Sequence, residues 1–166
     1  MVVNQEILKS LFFYKDGQLI RKTTIQGNGN VAGKSIGTKP NKKRNNRYST
    51  TKINGQHWCV HKLIYIYHYN ECPDQLDHIN CNTTDNRIEN LRPATSTQNM
   101  CNRKLFSNNT SKCKGVSWHK KSNKWFVYID VNKKRKNIGY FKDFELAEFV
   151  SIEARNLHHG EYANFS

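Results

Sequence analysis

Residues 75–99 read QLDHINCNTTDNRIENLRPATSTQN, and this stretch decides how the chain divides and what chemistry it can carry. It crowds asparagines, an adjacent Asp77–His78 pair and two arginines into one short window. Neighbouring residues of a strand point to opposite faces, so Asp77 and His78 serve one site only if the strand ends there. A carboxylate, an imidazole and a carboxamide together suit metal-assisted phosphodiester hydrolysis. A hard divalent cation takes oxygens from Asp and from an Asn side chain, and phosphate and water fill its other positions. A neutral histidine takes the proton of an attacking water near pH 7, and the cation stabilises the leaving oxygen. The same residue types are also favourites of turns, where Asn and Asp bond their own backbone. Composition leaves both readings open.

The flanks of the window have local signals of their own. NLRPAT predicts a short strand that Pro93 ends, and TSTQNM predicts a helix capped by Thr95 or Ser96, with Asn99 in its first turn. Arg87 and Arg92 are within reach of a bound phosphate, and equally of Asp85 or Glu89.

Length and charge set the wider frame. With 166 residues the chain has room for one ordinary domain or two small ones. Its hydrophobic share of 36%, with 8 Tyr, 8 Phe and 3 Trp, is too high for a disordered chain. There is no apolar run long enough for a membrane span. Glu6 and Lys9 interrupt the apolar positions of the start, so neither a membrane protein nor a secreted one is expected, and the expected location is cytoplasmic. The five cysteines are scattered without a C-x-x-C pair, which predicts reduced thiols rather than a structural zinc site. The net charge is +14, and between Asp16 and Glu71 there are ten basic residues and no acid. A polyanionic partner follows from that balance, although charge alone does not separate DNA from RNA or from a merely basic surface.

Periodicity supplies the organisation. LFFYKDGQLIRK is two apolar runs about Asp16-Gly17, a tight hairpin signal, and the Gly-, Asn- and Lys-rich stretch after it predicts loops and weak strands. VHKLIYIYHY places Val60, Leu63, Ile64 and Tyr67 at helical spacing, with Cys72-Pro73 as the stop. His61 on that helix is a packed histidine or a support for the site. A polar linker follows the window, with a boundary near residue 108. KWFVYIDV then alternates, with Trp125, Val127, Ile129 and Val131 on one face and Phe126, Tyr128 and Asp130 on the other. A short strand at NIGYF precedes a helix with Phe144, Ala147, Val150, Ala154 and Leu157 on one stripe, Asp143 as N-cap and Gly160 as its stop.

VHKL, DHIN, DNRIENLR and the closing QN resemble the HNH endonucleases found as free-standing homing or mobile enzymes in bacteriophages, over roughly residues 55–103. The resemblance implies a two-stranded hairpin and a helix around one metal, the beta-beta-alpha-metal finger. It implies Asp77 and Asn99 as metal ligands, His78 as general base, and Asn90 as the residue that holds the hairpin loop and orients His78. Many members carry a histidine where this chain has Asn99, so the implied metal is Mg or Mn rather than a nitrogen-preferring ion.

Residues 111–165, with KGVSW, the KW of NKWFVYI, IGYF and HGEYANF, resemble the APETALA2-type DNA-binding domain of plant transcription factors, which also occurs attached to phage HNH enzymes. That family lays its sheet in the major groove with the helix behind it. The implied DNA face holds Lys114, Ser117, His119, Tyr128, Arg135 and Asn137. Plant members carry several Arg where this chain has Ser117, His119 and Asp130, so base preference does not carry over. Trp118 and Trp125 read as core packing rather than stacking platforms.

The expected protein is thus α+β. It has a basic β-rich segment at 1–54, an HNH nuclease domain at 55–107, and at 108–166 a small three-stranded antiparallel sheet packed on one helix. The expected activity is metal-dependent cleavage of double-stranded DNA, by nicking or by cutting both strands, in a monomer whose basic stretch from Arg21 to Lys62 grips the backbone. The alternative is a DNA-binding regulator whose nuclease fold no longer cuts. An RNA-binding protein would need exposed aromatics, of which the sequence shows no clear set.

Overall fold

Asp16 and Gly17 take left-handed φ values of 46° and 78°, the geometry of a two-residue hairpin turn, and fold β1 (Phe12–Lys15) onto β2 (Gln18–Arg21). The computed structural model describes residues 3–24, 31–40 and 47–166. Contacts gather the chain into two compact units, 1–94 and 95–166. The break falls at 94/95, whereas the sequence reading expected breaks at 54/55 and 107/108. Residue 54 sits in the turn between the paired strands β3 (Thr50–Ile53) and β4 (Gln56–Cys59).

The first unit opens with α1 (Gln5–Leu11), whose N-cap Asn4 accepts the amide of Ile7 at 2.9 Å. The sequence reading had not assigned this helix. After β4 comes α2 (Val60–Tyr69), and then β5 (Leu76–His78) pairs antiparallel with β6 (Leu91–Pro93). The three two-stranded sheets of this unit are held by one core, with Leu8, Phe12, Leu19, Ile53, Leu76 and Leu91 packed around Val60, Leu63, Ile64 and Ile66 of α2. Because α2 buries residues nearly all round its surface, it is the post on which the unit is built. It stops at Asn70, in left-handed conformation with φ 57°, before the Cys72-Pro73 stop expected from sequence. Gln5 of α1 closes that end by donating Nε2 to the carbonyls of Tyr67 and His68, each at 3.0 Å.

The second unit starts with α3 (Ser96–Cys101), capped by Thr95 in a reciprocal capping box with Gln98. Next comes the antiparallel sheet β7 (Val116–His119), β8 (Lys124–Val131) and β9 (Lys134–Phe141), and then α4 (Phe144–His159). Asp143 caps α4 by accepting the amide of Leu146 at 2.8 Å, as expected, and Gly160 ends it. The core here is small: Cys113, Val116, Val127 and Ala147, with Trp125, Phe141, Phe144 and Val150 against them. Leu157 corrects the expected stripe, for it is 79% exposed. At about 100° per residue it lies roughly 80° off the line through Ala147, so the last turn carries it away from the sheet. The expected alternation along β8 holds, with one irregularity opposite it. Val127 pairs Gly139 and Tyr128 pairs Asn137, so Ile138 is bulged out of β9.

Candidate active site

β5 ends at His78, so the chain turns immediately after the Asp77–His78 pair, and both residues are buried. Their strand register places Asp77 opposite Arg92 and His78 opposite Leu91. Arg92 donates Nε and a terminal nitrogen to Asp77 Oδ2 at 3.0 and 2.9 Å. Its partner is thus Asp77, and not Asp85 or Glu89 as the sequence reading offered, because cross-strand register brings Asp77 to it. Arg87 does pair with Asp85, donating to both carboxylate oxygens at 2.9 and 2.8 Å. That bidentate contact first, and the Asn80 bond with it, hold Asp85 well below the usual carboxylate range.

Asn90 bonds within the connection between β5 and β6. Its Oδ1 accepts the amide of Asn80 at 3.0 Å, and its Nδ2 donates to Asn80 Oδ1 and to the Asp85 carbonyl at 3.0 and 2.7 Å. The connection between β5 and β6 is closed by these bonds together with the Asn80 and Asn82 side chains. The orienting contact on His78 comes from another residue. Asn86 Oδ1 lies 3.0 Å from His78 Nε2, both side chains being buried. A carboxamide oxygen can only accept, so Nε2 is the donor in this contact. Sequence reasoning missed Asn86. Its one signal was a place inside the Asn-rich window, and turn asparagines share that signal.

The N-terminal hairpin buttresses this loop. A side chain at Gly17 would meet the backbone nitrogen of Arg87 at 2.8 Å, and Tyr14 Oη accepts the amide of Ile88 at 3.1 Å. Gly17 therefore serves the turn and the close approach together. His61 is 6% exposed, with its ring 5.3 Å from that of His78 and 4.8 Å from that of Tyr48. Burial first, and the neighbouring charges of His78 and Lys62 next, lower its pKa to about 3. It is a neutral packing partner of His78 near pH 7.

Asn99 stands on α3, which belongs to the second unit, so the first unit by itself holds Asp77, His78, Asn86, Asn90 and Arg92. Arg21, expected to grip DNA, is instead buried with its guanidinium 5.2 Å over the Phe12 ring. Lys42, Lys43 and Arg44 of the same basic stretch lie outside the described residues.

On the sheet of the second unit, register brings Ser117 opposite Phe126, Tyr128 opposite Asn137 and Asp130 opposite Arg135 on one face. His119 pairs Lys124 on that face, and its Nδ1 is 2.8 Å from Ser122 Oγ. Lys114 does not share it: it precedes β7, and its ammonium donates to the carbonyl and Oδ1 of Asn164 at 2.6 and 2.8 Å. Phe126 contacts Tyr128 and Tyr140 at 5.6 and 4.9 Å, an aromatic row that the sequence reading had not gathered. Arg135 lies 3.9 Å over Tyr128 and donates to both carboxylate oxygens of Asp130.

Residues 59–101 match the family profile of the HNH endonuclease. Over 92 residues the chain is 34% identical to Protein 3.8 of Escherichia phage T7, covering 54% of this chain and 74% of that protein. The chain belongs to the family of that phage protein and carries an HNH endonuclease domain. Everything from His61 to Asn99 that the site reading uses falls inside the matched HNH residues. The sheet of the second unit falls outside them, and the APETALA2 resemblance gains no support from these comparisons. No solved structure matches the chain.

Proposed function

We propose that the chain is a metal-dependent endonuclease of the homing or mobile kind that hydrolyses phosphodiester bonds of double-stranded DNA. One observation carries the reading: the buried 3.0 Å contact between His78 Nε2 and Asn86 Oδ1, to which we add Nδ1 as the base. His78 Nδ1 takes the proton of the attacking water. Asn86 keeps the tautomer, and Asn90 keeps the loop that presents both.

As the resemblance has it, Asp77 and Asn99 are the oxygen donors for a hard divalent cation, Mg or Mn, in a beta-beta-alpha-metal finger. Among the described residues no three of His, Cys, Asp and Glu gather into a metal cage, so the remaining positions would fall to phosphate and water. When bound, such an ion supplies stabilisation of the charge that develops on the phosphate. Arg92 holds the Asp77 carboxylate from across the hairpin.

The outer sheet face would add affinity for the duplex in the manner of an APETALA2-type domain, through Ser117, His119, Tyr128, Arg135 and Asn137. We take the working form to be a monomer that nicks one strand per visit, in the cytoplasm of an infected bacterial host. No helix among the described residues is long and apolar enough to cross a membrane.

The test is incubation with supercoiled plasmid in Mg, beside His78→Ala and a chelator control. Nicked product from the parent, with a loss on the order of 10²–10⁴-fold in His78→Ala, is expected. Tight duplex binding with no cleavage of plasmid or of source DNA would favour the regulator reading.

A further inference from the structure

Two buried nitrogens of α4, Arg155 Nε and His159 Nδ1, have no hydrogen-bond partner among the described residues. The two residues are four apart on the helix and so share a face. Both line a cavity of about 240 Å³ whose walls all come from the second unit. His159 Nε2 donates to the carbonyl oxygen of Asp130 at 3.1 Å, so its Nδ1 presents a lone pair and Arg155 Nε is the donor that faces an anion.

The charge on the walls is one-sided. Arg103, Lys104, Lys114 and Lys133 join Arg155, and the acid among the lining residues is Asp130. Both oxygens of that carboxylate accept from Arg135, at 2.9 and 3.0 Å, so its charge is already matched. Burial pushes the Arg155 guanidinium below its ordinary value, the mark of a cation desolvated without a matching anion. A planar guanidinium fork suits phosphate oxygens better than any other common anion except carboxylate. The rest of the lining includes Met100, Leu105 and Phe106, which offer an apolar and aromatic wall beside the charge. The volume lies just under that of ordinary small-ligand pockets, enough for one compact organic group and far too small for a duplex.

We propose that this cavity binds the phosphate of a single nucleotide, with Arg155 as its anchor and the nucleoside against Phe106. A free mononucleotide and the terminal nucleotide of a strand share this chemistry. The site stands whether or not the HNH segment cleaves DNA, because no residue of the Asp77–His78 window lines it.

The experiment follows the Arg155 Nε–H resonance of the ¹⁵N-labelled full chain, assigned by its absence in Arg155→Gln. The titrants are thymidine 5′-monophosphate, inorganic phosphate, unphosphorylated thymidine, and a short 5′-phosphorylated single strand, with chloride matching the ionic strength. The mononucleotide should move the resonance saturably with a roughly millimolar or tighter dissociation constant, with phosphate alone weaker and thymidine silent. Mononucleotide binding, read on neighbouring backbone amides, should fall about tenfold in Arg155→Gln and less in Arg155→Lys, which keeps charge and loses the fork. Should Arg155→Gln unfold, the Arg155→Lys and Lys133→Gln variants carry the same comparison. Tighter binding of the phosphorylated strand than of the mononucleotide would assign the site to strand ends, and the reverse order to free nucleotide. No saturable movement with either one, equal movement with chloride, or equal movement with thymidine would overturn the proposal.

Discussion

The loop between β5 and β6 and the outer face of the β7–β9 sheet are both crowded with polar side chains, yet they treat them in opposite ways. In the loop, Asn80, Asn86, Asn90 and Asp85 bond each other, the backbone or His78, and Asn86, Asn90 and His78 are buried. On the sheet, Asp130 and Arg135 pair in the open and Tyr140 is 48% exposed. Buried networks hold a geometry because each broken bond strands a desolvated group, whereas exposed pairs add little to stability and are available to a partner. The first region is built to position atoms and the second to present a surface.

The strongest way to break that contrast is to remove what supports the loop. Leu63→Ala, which hollows the core beneath it, should cost about 2–5 kcal/mol, measured by urea unfolding of the full chain. A loss below 1 kcal/mol would mean that α2 is not the post of the unit. Asn86→Ala should lower cleavage about tenfold to a hundredfold with KM little changed, since it removes orientation and not binding. Asn86→Ala would also mix the His78 tautomers, visible in the ring ¹⁵N shifts. Unchanged shifts would remove Asn86 from the mechanism.

Proton linkage sharpens the same contrast. His61 is neutral when folded down to about pH 3, while in the unfolded chain it binds a proton below its ordinary value of 6.5. The unfolded state therefore holds more protons in that window, and stability rises with pH and is lost as pH falls from 7 toward 3. The contribution of His61 between pH 7 and 5 is about 2 kcal/mol. A His61→Gln variant should lose that part of the acid sensitivity, and equal slopes in both proteins would place His61 outside the buried set. On the sheet the expected effect is smallest. Arg135→Ala should change stability by no more than about 1 kcal/mol and show itself in duplex binding instead, with a shallower salt dependence. A large stability loss would show that the sheet face, too, is structural.

Signals that act over a few residues were legible without the fold. The Asp16-Gly17 turn, the helical spacing of Val60, Leu63 and Ile64, the alternation of β8, the caps Thr95 and Asp143 and the DHIN window were all read from neighbours in sequence, since backbone preference and period are set locally. Partners chosen across space were not. Asn86 rather than Asn90 bonds His78, Arg92 meets Asp77, Arg21 is buried against Phe12, and Leu157 swings out to solvent. The division at 94/95 belongs with them, because Phe12, Leu19 and Ile53 could join the core of α2 only once the chain had folded back on itself. Local preference along the chain thus sets most of the elements and the chemical inventory of the site. The tertiary structure decided which groups meet, because register and burial depend on contacts between residues far apart in the chain.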